Sequence, residues 1–176
     1  MLSVARRDIM DLRSVRSQLS HSTLKKGEGL TLINMLNPDY IVGLVDGEGS
    51  FTVYIRNPDV DKNVKRRVKV EPRFYLKLIE RDKSLLYELK RFFGCGNVYF
   101  QMDTRPNHQN CYRYEVANRS DLKEKIIPFF KKNRLQLSSK RKDFQLFCRL
   151  MTMIEKKLHS SKHGLRKLYQ VKQQMH

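Results

Sequence analysis

From Asn37 onward the apolar positions change period in a readable order. Asn37-Pro38-Asp39 precedes the apolar run Tyr40-Ile41-Val42-Gly43-Leu44-Val45. Asn37 at the cap with Pro38 in the first turn predicts a helix start. The run ends at Asp46-Gly47-Glu48-Gly49, where glycines allow a sharp change of direction. Ser50 to Arg56 then alternates, with Phe51, Val53 and Ile55 on one face and Ser50, Thr52, Tyr54 and Arg56 on the other. That is the signature of a half-buried strand. A basic loop, Lys62 to Arg67, leads into a second alternating stretch, Val68 to Ile79, where Pro72 predicts a kink.

Asp82 stands as the N-cap of a helix carrying Leu85, Leu86, Leu89 and Phe93, and Gly94-Cys95-Gly96 stops it. Two more strands are predicted over Asn97–Met102 and Cys111–Ala117, joined by the polar segment Asp103 to Asn110. Their apolar faces are Val98, Phe100 and Met102, then Tyr112, Tyr114 and Val116. Helices follow over Asp121 to about Lys132, Ser138 to about Lys157, and His163 to the end. The order predicts an α+β domain, an antiparallel sheet with helices on one face. The other face carries Tyr54, Arg56, Lys69, Arg73, Tyr75, Lys77, Tyr99, Gln101 and Arg113, with Glu71 and Glu115 among them.

Charge gives that face a partner. The 176 residues hold 36 Lys and Arg against 18 Asp and Glu, a net charge of +18. Such a field attracts nucleic acid or, less often, an anionic membrane surface. No stretch approaches the roughly 20 apolar residues of a membrane-spanning helix. Cys95, Cys111 and Cys148 are too few and too scattered for a zinc ribbon or a disulfide framework, which fits a reducing intracellular setting.

Residues 1–36 stand apart as a basic extension, solvated or disordered. Met1-Leu2-Ser3-Val4-Ala5-Arg6-Arg7 has the Arg and Ser content of an organellar transit peptide, but Asp8 and Asp11 depart from it. Bacterial cytoplasm and an organelle, mitochondrion or chloroplast, both remain open as the compartment.

The segment Ile41-Val42-Gly43-Leu44-Val45-Asp46-Gly47-Glu48-Gly49, followed by Ser50-Phe51, resembles the LAGLIDADG signature of homing endonucleases. Leu78-Ile79-Glu80-Arg81-Asp82-Lys83-Ser84-Leu85-Leu86, Phe93-Gly94-Cys95-Gly96-Asn97-Val98 and Leu137-Ser138-Ser139-Lys140-Arg141-Lys142-Asp143-Phe144 are similar to later segments of the same family. The resemblance covers residues 37–175. It implies an αββαββα fold whose curved four-stranded antiparallel sheet lies on duplex DNA. Ser50, Thr52, Tyr54, Arg56, Lys69, Arg73, Tyr75, Lys77, Tyr99, Gln101, Arg113 and Glu115 are then the DNA-contacting set.

The resemblance also implies a chemistry. Glu48 occupies the place of the family's metal-binding carboxylate, and the Gly47 carbonyl is a second ligand for Mg2+, for which Mn2+ can substitute. Asp46 caps and orients the helix end. Lys140 matches the basic residue that approaches the metal-bound water and the scissile phosphate. Glu80 stands where the family often has a solvent-ordering glutamine. Two acids are needed and only one full motif is present, since Lys26-Gly27-Glu28-Gly29 lacks a preceding apolar helix. A homodimer closed through Tyr40, Gly43, Leu44 and Gly47 is therefore expected, on a pseudo-palindromic site. No small-molecule cofactor beyond the divalent metal is expected. The alternatives are an RNA splicing maturase, a non-catalytic DNA-binding regulator of the same fold, or a basic structural protein. Retention of Glu48 favours the enzyme.

Overall fold

The computed structural model describes residues 36–59, 69–106 and 108–176. The extension over 1–35, the Lys62–Arg67 loop and Val68 lie outside the described residues. Helix α1 spans Pro38–Glu48, with the Asn37 side chain accepting a hydrogen bond from the Asp39 amide at 2.8 Å. Strand β1 (Gly49–Ile55) follows without a loop, then β2 (Val70–Ile79), α2 (Lys83–Phe93), β3 (Asn97–Gln101) and β4 (Cys111–Val116). The helical remainder is α3 (Arg119–Asp121), α4 (Ile127–Lys132), α5 (Ser138–Glu155) and α6 (Lys162–Lys172). The four strands form one antiparallel sheet in the order β1-β2-β4-β3.

Alternation sorts the strands as the sequence predicts. Phe51, Val53, Ile55, Val70, Phe74, Leu76, Tyr114 and Val116 are all buried against the helices. Phe51 is the hub of an aromatic cluster, with its ring centroid 5.0 Å from Phe74, 5.3 Å from Phe130, 5.0 Å from Phe144 and 5.5 Å from Phe147. Each such ring contributes about 1.5–3 kcal/mol by burial alone.

Several expectations need correction. Pro72 does not kink β2: it stays within the strand, buried and in register with Val53. Pairing with β4 starts only at Phe74, so its missing amide hydrogen removes no bond to that neighbour. Asp82 stands at the N-cap of α2, but its side chain makes no cap bond; a 3-10 turn, Glu80–Asp82, leads in instead. Phe100 and Met102 are not core residues, being 47% and 72% exposed. They sit at and just beyond the end of β3, an edge strand that outruns the helical layer. Between α3 and α4 the helix widens into a π turn, Leu122–Ile126, next to Pro128, which has no amide hydrogen for an ordinary turn. The strands and the last two helices otherwise shift by a few residues at their ends.

Gly94 and Gly96 both take positive φ, 58° and 77°. At Gly96 a Cβ would come within 2.7 Å of the Tyr114 ring, so the turn into β3 demands glycine twice over.

Candidate functional site

Two features meet where α1 ends and β1 begins. At Gly49 a Cβ would lie 2.5 Å from Val45 Cγ1 and 2.7 Å from the Val45 carbonyl. Only glycine lets the chain turn from helix to strand in one residue, and that turn presents Glu48 at the surface. The Glu48 side chain makes no ion pair or hydrogen bond among the described residues, and α1 has no basic residue in its last turn. A carboxylate at the negative end of a helix is unfavourable unless a cation joins it.

Asp46, two residues before Glu48 on the same helix, is buried, and both of its carboxylate oxygens are engaged. It accepts hydrogen bonds from the amides of Gln136 at 2.7 Å and Leu137 at 3.3 Å. Its carboxylate therefore caps the start of α5 rather than its own helix. Arg141 grips the same segment from its carbonyl side, donating to Leu135 O at 3.2 Å and to Gln136 O. With α5 pinned in this way, the half-buried Lys140 donates from Nζ to the Gly49 carbonyl. The sequence-predicted acid and base-side lysine thus converge on one junction. Glu80 does not join them: it pairs with Lys83 at 3.3 Å, and no contact among the described residues links it to Glu48 or Lys140.

Beside this junction lies the polar face of the sheet. Register aligns Ser50, Tyr75, Glu115 and Asn97 in one row and Lys77, Arg113 and Tyr99 in the next. Thr52 faces Arg73, Tyr54 faces Glu71, and Gln101 faces Cys111. Arg56 follows the last residue of β1 and is exposed, as is Lys69 just before β2. A concavity of about 400 Å³ on this face is lined by Thr52, Tyr54, Glu71, Arg73, Tyr75 and Arg113. Lys172 of α6 joins them, a contribution strand alternation could not reveal. Hydrogen bonding to Glu71 holds the Arg73 guanidinium above its already high ordinary pKa, so it stays charged.

On α1 itself, Tyr40, Gly43 and Gly47 are exposed and Leu44 is half-buried, which makes one stripe at helical spacing. An added Cβ at Gly43 or Gly47 would meet nothing within 4 Å.

Among the described residues no three His, Cys, Asp or Glu side chains cluster to hold a metal ion, and no helix is long and apolar enough to cross a membrane. Burial pushes the Cys95 and Cys148 thiols up, which keeps them protonated and unreactive.

The family model for LAGLIDADG endonuclease matches residues 41–151, spanning the junction, the sheet and most of α5. The chain belongs to the LAGLIDADG endonuclease family. Among curated relatives, a probable intron-encoded DNA endonuclease 1 of Mycosarcoma maydis is 37% identical over 108 residues, covering 61% of this chain and 35% of that protein. The chain spans between 25% and 35% of the length of the curated relatives it matches. Among solved structures, the homing endonuclease I-TnaI is 38% identical with a TM-score of 0.66, over 80% of this chain and 88% of that one. The LAGLIDADG meganuclease I-CpaMI bound to uncleaved DNA is 30% identical with a TM-score of 0.67, over 88% of this chain and 48% of that one. The motif helix α1, the four-stranded sheet and the helices behind it are thus those of a LAGLIDADG unit.

Proposed function

We propose that the chain is a site-specific endonuclease that hydrolyses both strands of duplex DNA, depends on Mg2+ with Mn2+ able to substitute, and works as a symmetric pair of copies on a pseudo-palindromic site. The α1–β1 junction carries the reading: Glu48 is offered without a side-chain partner among the described residues, and Lys140 is held at the adjoining turn beside a sheet face rich in arginine and lysine. Relatives named as intron-encoded endonucleases support a gene carried within an intron.

The residues present fit a hard divalent cation. Mg2+ is commonly held by one or two carboxylates and completes its shell with water and phosphate oxygens, which matches Glu48 and the Gly47 carbonyl. When bound, it supplies Lewis acidity at the phosphate and lowers the pKa of water. Glu48 provides the charge that retains the cation, and its place at the negative end of α1 is stabilised in return. Lys140 spends one of its three donors on Gly49, leaving two for a phosphate oxygen or the attacking water. The sheet face positions the duplex so that a phosphate meets this junction.

The exposed stripe of α1 supports a pair of copies. Glycine within a helix costs about 0.5–1 kcal/mol relative to alanine. Nothing in the described residues needs the space at Gly43 or Gly47, yet both lie on the exposed stripe with Tyr40 and Leu44. Close approach of a second motif helix would use that space and bring two Glu48 carboxylates together. I-TnaI, matched over nearly its whole length, supports one unit per chain.

Replacing Glu48 by Gln keeps the shape and removes the charge. The variant should bind a duplex recovered from a randomised pool as the wild type does, yet fail to linearise a plasmid carrying it in Mg2+. Wild-type cleavage by the variant would overturn the role of Glu48.

A further inference from the structure

The arginines on the polar face are not independent of one another. Glu115 lies between them at the centre of the sheet and its side chain is only 11% exposed. Its two oxygens are divided: Oε1 takes Arg73 Nη1 at 3.2 Å, and Oε2 takes Arg113 Nη2 at 2.8 Å. Glu71 holds Arg73 from the other side, Oε2 to Nη2 at 2.7 Å. The Arg113 guanidinium lies over the Tyr75 ring, its central carbon 3.8 Å from the centroid. Tyr75 and Glu115 are cross-strand partners, so strand pairing sets both the stack and the ion pair.

Two consequences follow. Arg73, Arg113, Glu71 and Glu115 cancel, so these four side chains together carry no net charge although the chain carries +18. Attraction to phosphates is a matter of net charge, and this cluster offers little. The guanidinium planes are also fixed, with their unbonded Nη hydrogens pointing from set positions. A fixed fork of donors suits a base edge with two adjacent acceptors, which in the major groove is guanine through N7 and O6.

We propose that Glu115 is a positioning residue for sequence selectivity: it holds Arg73 and Arg113 as one neutralised, immobile donor array that favours guanine at fixed places and gains little from phosphates. This rests on the reading of the polar face as the DNA-contacting surface. A glutamate kept only to balance charge would not need its two oxygens on two different arginines, one stacked on Tyr75 and the other braced by Glu71.

The test uses the full chain without divalent metal, so that binding is read apart from cleavage. A pool of randomised duplexes is selected for binding and sequenced, for the wild type, Glu115→Gln and Arg113→Lys. Affinities for an enriched duplex and a scrambled one are measured at about 50 and 200 mM salt. Glu115→Gln should steepen the salt dependence, log K against log salt, by about 0.9 as one cation is released to a phosphate. It should also cut the preference for guanine at one or two positions per half-site about tenfold. Arg113→Lys keeps the charge, so it should lose guanine preference at the same positions with an unchanged salt slope. Unchanged selectivity and slope in Glu115→Gln, with a selective wild type, would overturn the role of Glu115 and leave the DNA-contacting surface intact. Uniform loss across all sequences with lowered melting temperature would reduce Glu115 to a structural ion pair. A wild type with no salt-dependent duplex binding would overturn the surface and the proposal together.

Discussion

On the core side of β1, Phe51 touches four other aromatic rings; on the opposite side of the same strand, Tyr54 stands 54% exposed beside Glu71 and Arg73. The core side is held by dense, non-directional contacts, and any well-shaped apolar residue serves there. The other side is held by ion pairs and a stacked guanidinium, which depend on angle and give little stability in return. Residues that stabilise the fold so weakly, yet are so closely arranged, are placed for something outside the chain. The junction at Gly49 connects the two sides: its turn is fixed by core packing and its product, the exposed Glu48, is of no use to the core.

The sharpest way to break this contrast is to swap roles along β1. Phe51→Ala should lower stability by about 3–5 kcal/mol in urea unfolding. Tyr54→Ala should move it by less than about 0.5 kcal/mol. Similar losses for both would mean that the polar face carries the fold after all. Asp46→Ala falls between them. It leaves two amides at the start of α5 without their carboxylate, a loss of about 1.5–3 kcal/mol, and it should reduce DNA cleavage by more than its stability cost explains because Lys140 loses its anchor.

The smallest effect lies just past the sheet edge. Arg105 binds Asp103 through its side chain, Nε to Oδ1 at 2.9 Å, and through its amide at 3.1 Å. These contacts hold the Asp103 carboxyl well below the usual carboxylate range. A lowered folded value means that the contribution is present above the unfolded value near 3.9 and is lost as pH falls through the folded one. In an NMR titration Asp103 should remain ionised at about pH 3, and Arg105→Ala should return it to the ordinary range. An ordinary titration in the wild type would remove this ion pair from the account.

Alternation and punctuation made most of the architecture legible from sequence. Phe51, Val53, Phe74, Leu76 and Tyr114 fell on the buried face because strands have a period of two and one side must meet the helices. The motif's likeness to a known family singles out Glu48 and Lys140 from sequence alone, and the geometry brings them to one junction. The missed features depend on distance across the chain. Alternation names the face of Glu115 but not its two partners. It counts Phe100 and Met102 as core because periodicity does not say where the helical layer ends. Asp46 reads as a cap for its own helix, whereas it caps one that begins some ninety residues later. Lys172 comes from a helix with no strand pattern to follow.

The most direct test of the central claim, that two copies meet through α1 and cut DNA laid across both sheets, is to recover cleaved duplexes from a randomised pool incubated with the full chain and Mg2+. The account predicts a recurring site of two inverted, related half-sites with one cut in each strand near the centre, none of which appears with Glu48→Gln. Breaks scattered without sequence, or a recurring site with no inverted relation between its halves, would contradict it.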